Sequence, residues 1–215
     1  MGKGDKDDNH KAANGSEPDI SSTTPFSIVA LACSAGGLTA LSALLADLPG
    51  EFPVPLAVVQ HLDPRHRSLM AEILSRRTQL RVKEAEEGEA LCAHTVYIAR
   101  PDRHLLVNPD GTLSLSQSEL VHFLRPSADL LLESVAAVYK EHAIAVILTG
   151  TGSDGAMGVR AIKKMGGTVI VQDQTSAEFS GMPRAAIQTH VVDFILPLSE
   201  IPRALTTLVM KEGSV

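Results

Sequence analysis

The strongest constraint on how this chain folds is a change of hydrophobic period. From Phe26 onward, uninterrupted apolar runs (IVALAC, VPLAVVQ, AIAVILTG, TVIVQD) alternate with stretches whose apolar residues recur at helical spacing. A short continuous apolar run suits a strand buried on both faces, and such strands belong to parallel sheets covered by helices. After the first run and the small-residue turn SAGG, the residues Leu38, Leu41, Leu44, Leu45 and Leu48 form one apolar helical stripe. The order strand, tight turn, helix then repeats, which is the pattern of βαβ units and predicts an α/β domain with a mainly parallel sheet. Residues 68–77, 127–142, 182–189 and 199–210 read as helices, and 191–197 as a last strand. Between Leu80 and Leu120 the pieces RVKEAEEGE, TVYIAR and HLLVNPDGTLSLS are shorter, and small antiparallel strands are expected there, with NPDG as a hairpin turn.

Composition narrows the function classes. The chain has 215 residues, 44% of them hydrophobic, which is enough for one domain with a substantial core. Lys and Arg total 19 against 25 Asp and Glu, and the net charge of −6 argues against nonspecific nucleic-acid binding and against a basic membrane-surface patch. No Trp, two Tyr and five Phe leave no stacking platform for single strands. No apolar run is long enough to cross a bilayer and the first residues lack a signal-peptide core, so a cytoplasmic protein without membrane insertion is expected. Cys33 and Cys92 are too few for a disulfide framework and have no C-x-x-C partners, and the eight histidines show no ligand spacing, so neither a metal nor a cofactor is expected. Residues 1–25 are polar and read as a flexible tail ahead of a single domain over 26–210.

In an open parallel sheet, chemistry gathers at the carboxyl ends of the strands. Three residues stand at such ends: Ser34 after IVALAC, His61 after LAVVQ and Asp154 after AIAVILTG. They are a hydroxyl, a base and a carboxylate, and a shared sheet edge gives them a route to each other although they lie 27 and 93 residues apart. That combination opens the reading of a Ser-His-Asp triad. Each residue also has a plainer reading: Ser34 as a helix N-cap, His61 as a structural or surface histidine, Asp154 as the cap of the helix after it. Ala32-Cys33-Ser34-Ala35-Gly36 matches the nucleophile-elbow pattern G-x-S-x-G at the serine and the second glycine but has Ala32 in place of the first. The amides of Ala35, Gly36 and Gly37 open a helix and are candidates to hold an oxyanion. The glycine-dense run from Thr149 to Gly155 lacks the lysine of a phosphate-binding loop.

Taken together, SAGGL, VVQHLDP and ILTGTGSDGAMG, in that order, resemble the catalytic domain of the CheB-type protein-glutamate methylesterases of chemotaxis. EAEEGE, VYIARPDRHL, HFLRPSADLLLESVA and SAEFSGMPRAAI extend the resemblance from about Phe26 to Leu205, and its wording is most similar to esterase domains joined to methyltransferases in hybrid signalling proteins. The resemblance implies a doubly wound α/β fold, with Ser34 as nucleophile, His61 as general base and Asp154 as the acid that orients it. It implies an oxyanion pocket near the serine and the TGTG loop, which brings in Thr151 and Gly152; here Thr151 stands where some relatives carry Met. The implied reaction is hydrolysis of glutamate methyl esters on cytoplasmic chemoreceptor helices to glutamate and methanol, often with deamidation of glutamines at the same positions.

Only about 25 residues precede Phe26, so a receiver domain is not expected, and the output is expected to be either constitutive or controlled in trans by a receiver or methyltransferase partner. Met182-Pro183-Arg184 is open to two readings, a lining of the site or a structural turn with Pro183 at the first helical position. Arg125 is likewise open, facing an acidic receptor helix or held in an ion pair. Cys33 reads as a small packed side chain. Two other classes compete: an esterase-like module that docks without turnover, against which three intact triad residues argue, and a dinucleotide-binding protein, which lacks G-x-G-x-x-G after the first strand.

Overall fold

The computed structural model describes residues 26–61 and 68–210. The tail expected over 1–25, and residues 62–67 of the HLDPRHR turn, lie outside the described residues. Among those described, seven strands form one sheet: β1 (Ile28–Cys33), β2 (Leu56–Gln60), β3 (Arg81–Glu84), β4 (Thr95–Ile98), β7 (Ala143–Ile147), β8 (Thr168–Gln172) and β9 (Phe194–Leu196), in spatial order β3-β4-β2-β1-β7-β8-β9. Every pairing in this sheet is parallel. The short strands β5 (His104–Val107) and β6 (Leu113–Ser116) pair as a separate antiparallel hairpin across the NPDG turn.

Alternation along β1 explains why all six of its residues are apolar. Ile28, Ala30 and Ala32 face a core layer built with α3 (Ala128–Tyr139), α4 (Ala156–Lys164), α5 (Gly181–Ile187) and the hairpin. Val29, Leu31 and Cys33 face the opposite layer, built with α1 (Gly37–Ala46), α2 (Met70–Ser75) and α6 (Ile201–Val209). Both faces are covered, so the central strands have no solvated side to mark with polar residues. The helices on the two faces make this a doubly wound α/β domain with a small antiparallel insertion.

Two local expectations are corrected. Arg81–Glu84 and Thr95–Ile98 are not small antiparallel strands; they extend the main sheet in parallel, because all four residues of Thr95–Ile98 are buried between β2 and β3. Pro183 is not the first residue of its helix: α5 starts at Gly181, which puts proline at the third position, still within the first turn where no intrahelical N–H is needed.

The order of strands also locates a crevice. The chain lays β2, β4 and β3 to one side of β1 and β7, β8 and β9 to the other, so the direction of winding reverses between β1 and β7. Helices after these strands leave to opposite faces and open the carboxyl edge at that point. Ser34 follows β1, Thr149 to Asp154 follow β7, and His61 follows β2, the other neighbour of β1. Neighbouring strands lie about 4.8 Å apart, so these three adjacent strand ends gather the three segments at one edge of the sheet.

The α3–α4 packing brings Gly158 so close to Leu132 that a Cβ there would lie 2.5 Å from Leu132 Cβ. Overpacking of this kind costs about 1–3 kcal/mol and the better helix propensity of alanine returns up to about 1 kcal/mol, so Gly158→Ala should destabilise the domain by about 1–2 kcal/mol. Urea unfolding measures this; a midpoint equal to or above that of the wild type would contradict the packing described.

Candidate active site

Ser34 sits where β1 gives way to α1, and backbone bonds hold it from both sides. Its N–H donates to Thr149 C=O at 3.0 Å, and its C=O accepts the Gly37 N–H at 2.8 Å. The turn requires Gly36 at φ +75°, a left-handed conformation that costs a residue with a Cβ. Across from it, Gly150 has no room for a side chain: a Cβ there would lie 2.9 Å from Ser34 Cβ and would collide with Met182 Sδ. The absence of a side chain at Gly150 is what lets the β7 loop lie against the serine.

His61 stands at the end of β2, its N–H donating to Cys33 C=O at 3.2 Å. Its Nε2 lies 2.8 Å from Asp154 Oδ2, and the side chains of the pair are 10% and 1% exposed. A deprotonated carboxylate can only accept, so Nε2 carries the hydrogen and Nδ1 is left with the lone pair. Asp154 thereby selects which imidazole nitrogen can serve as a base.

Asp154 is not the cap of the helix that follows it. Gly155 occupies that position in α4, and the carboxylate instead caps α3: Oδ2 accepts Ala128 N–H at 2.6 Å, while Oδ1 accepts Asp129 N–H and the Ser127 hydroxyl, each at 3.0 Å, and Gly155 N–H at 3.1 Å. Burial pushes this carboxyl up, but the bond from His61 and the amides of Ala128 and Asp129 outweigh it and hold Asp154 below the usual aspartate range. The positive end of the α3 dipole acts in the same direction.

A further layer fixes those donors, and nothing in the sequence analysis singled it out as part of a site. The Ser127 N–H donates to Nδ1 of His104, a fully buried residue of β5 whose Nε2–H donates to Glu119 C=O at 3.1 Å. Because Nδ1 accepts, His104 is the neutral tautomer, and burial holds its pKa down. Asp129 Oδ1 accepts the Gly158 N–H at 2.7 Å and so ties the start of α3 to α4; burial pushes its carboxyl up. The sequence signal for Ser127 and Asp129 was the run RPSADLLL, which reads as a helix start and nothing more, and His104 lies in a separate segment, PDRHLLV.

The remaining candidates separate. The Gly37 N–H is committed to Ser34 C=O, whereas among the described residues no acceptor bonds the amides of Ala35 and Gly36. Thr151 and Gly152 lie exposed on the turn before Asp154, Gly152 at φ +82°. Met182 is buried beside Gly150, to whose C=O its N–H donates at 2.9 Å. Arg125 is held in an ion pair: its guanidinium donates to Asp102 at 2.6 and 2.8 Å and to the carbonyls of Gln117 and Ser118. Cys33 is a buried free thiol raised far above its ordinary pKa by desolvation, which makes it inert as a nucleophile. Among the described residues no three His, Cys, Asp or Glu side chains gather as a metal site, and no helix is long and apolar enough to cross a membrane.

Because the folded-state pKa of Asp154 is depressed, its stabilising contribution is present above the unfolded aspartate value near 4 and is lost as pH falls through the lower folded value. The stability advantage of the wild type over Asp154→Asn should therefore narrow below about pH 4. Urea titrations at a series of pH values test this, and an advantage that stays constant down to pH 3 would contradict it.

Comparison with known proteins places this geometry in a family. The family model described as CheB methylesterase matches residues 29–205. A Leptospira interrogans protein, provisionally named a protein-glutamate methylesterase/protein-glutamine glutaminase, is 42% identical over 176 residues, covering 82% of this chain and 91% of that one. The protein-glutamate methylesterase FrzG of Myxococcus xanthus is also 42% identical, over 84% of this chain but 54% of its own length. The crystal structure of the Thermotoga maritima CheB methylesterase catalytic domain superposes with a TM-score of 0.83 at 39% identity, covering 86% of this chain and 99% of that domain. On sequence and on structure, the chain belongs to the CheB methylesterase family.

Proposed function

We propose that this chain is a serine hydrolase that removes methyl esters from glutamate side chains of chemoreceptor-type proteins, giving glutamate and methanol, and that it deamidates glutamines presented in the same way. Family membership and the names of the relatives support the reaction class. The observation that carries the reading in this chain is the partly buried 2.8 Å pair of His61 and Asp154 at the sheet edge that also carries Ser34.

The chemistry follows from which atoms are occupied. With Nε2–H given to Asp154, Nδ1 of His61 takes the Ser34 proton as the hydroxyl oxygen attacks the ester carbonyl. The imidazolium formed is stabilised by Asp154, which stays ionised because backbone and hydroxyl donors hold its charge. The tetrahedral oxyanion is received by the amides of Ala35 and Gly36, with Thr151 and Gly152 lining the opposite wall and Met182 closing the floor. Collapse expels the methoxy group, which takes the proton from Nδ1 and leaves as methanol. Water, deprotonated by His61, then splits the acyl-serine to release glutamate and restore the hydroxyl. For a glutamine side chain the same steps release ammonia.

The substrate is assigned as methylated cytoplasmic helices of receptors, which places the reaction in the cytoplasm. A docking role without turnover is not favoured, because the chain retains a serine, a histidine and an aspartate at one sheet edge. Methanol release from methylated receptor fragments tests the proposal. The wild type should release methanol, and Ser34→Ala or His61→Ala should lower the rate about 10⁴-fold, with the double variant hardly worse than either single one. Unchanged hydrolysis by Ser34→Ala would overturn the assignment of the nucleophile.

A further inference from the structure

We infer that Gln60 is a positioning residue that sets the spacing between Ser34 and His61. The inference rests on the reading of those two residues as nucleophile and base. Gln60 is the last residue of β2, 6% exposed, and its carboxamide lies under the turn that carries the serine. Nε2–H donates to Ser34 C=O at 2.7 Å and to His61 C=O at 3.1 Å, so one planar group holds both residues by their main chains. Oε1 accepts the Cys33 S–H at 2.9 Å. Both amide hydrogens are spent and the carbonyl is occupied, which fixes the carboxamide plane.

The turn above is shaped to admit this group. A Cβ at Gly37 would collide with Gln60 Oε1 and would approach Cys33 Sγ to 2.8 Å, so the first residue of α1 is a glycine because the carboxamide fills the space beside it. The strand ends of β1 and β2 are joined by the sheet ladder only as far as Cys33 and Gln60; beyond that register, Gln60 and the His61 N–H to Cys33 C=O bond carry the connection. A hydroxyl and a base must meet within hydrogen-bond reach, and errors near 1 Å lower rates by as much as about 100-fold. The amide crosslink is the element that fixes that distance without touching substrate.

Gln60→Met keeps the length of the side chain and removes both donors, and Gln60→Glu keeps its shape while setting a carboxylate against two carbonyl oxygens. Each is compared with wild type for methanol release, for the rate at which a serine-directed fluorophosphonate labels Ser34, and for its thermal melt. The expected result is a kcat lowered about 10- to 100-fold and labelling slowed in proportion, with KM within twofold and both variants folded at the assay temperature. The phosphonate needs no receptor, so it separates the two ideas. A wild type that is not labelled would overturn the catalytic reading and this inference with it. A labelled wild type whose folded variants react at the wild-type rate would overturn the positioning role alone. Loss of activity that tracks only the unfolded fraction would do the same, and if one variant fails to fold, the other carries the comparison.

Discussion

Burying a carboxylate is among the costlier things a fold can do, and much of this domain's active edge is arranged around one such group. Asp154 is almost wholly excluded from solvent, which would neutralise an unpartnered aspartate. Three backbone amides, the Ser127 hydroxyl and the His61 imidazole share its two oxygens. The N-terminus of α3 supplies two of those amides as well as its dipole, so the helix is stabilised by the anion it stabilises. The charge beside His61 is thus kept in place by the start of a helix.

That arrangement reaches outward through bonds that fix the donors in turn. His104 in the hairpin holds the Ser127 amide, Asp129 holds α4 through Gly158, and close α3–α4 packing leaves no room for a side chain at Gly158. On the other side of the crevice, Thr149 C=O anchors Ser34, and its own N–H donates to the buried Gln172 at 2.8 Å. Gln60 and Gln172 both end strands, β2 and β8: Gln60 donates to the carbonyls of Ser34 and His61, while Gln172 accepts the Thr149 N–H and donates to the Ser176 hydroxyl. Buried glutamines at strand ends are how this sheet passes its rigidity into the loops at its carboxyl edge.

How much of this was legible in the sequence depended on whether a signal was local. The alternation of apolar runs with helical stripes disclosed the parallel sheet, because full burial on both faces removes polar residues from β1, β7 and all but the last position of β2. The strand-end rule drew attention to Ser34, His61 and Asp154, and the structure brings His61 and Asp154 into contact. It could not say which helix Asp154 caps, since the choice of α3 over α4 depends on packing between segments 25 and more residues apart. β3 and β4 were misread as antiparallel because short strands carry too few side chains to reveal their neighbours. His104, Ser127 and Asp129 were missed for a related reason: each looks ordinary in its own segment and gains meaning only from a partner distant in sequence. Gln60 was visible within VVQH but had no local pattern to mark it.

The chemistry proposed for this sheet edge turns on one proton. If Asp154 fixes the catalytic imidazole, the neutral His61 side chain carries its hydrogen on Nε2 and leaves Nδ1 to accept from the serine. Nitrogen-15 NMR of protein labelled at histidine, with His61 assigned by loss of its signals in His61→Gln, reads this directly. The predicted result is a pyrrole-type Nε2 with a strongly deshielded proton and a pyridine-type Nδ1, the proton signal disappearing in Asp154→Asn. A His61 protonated at Nδ1 in the neutral form, or tautomers in free exchange in the wild type, would contradict it.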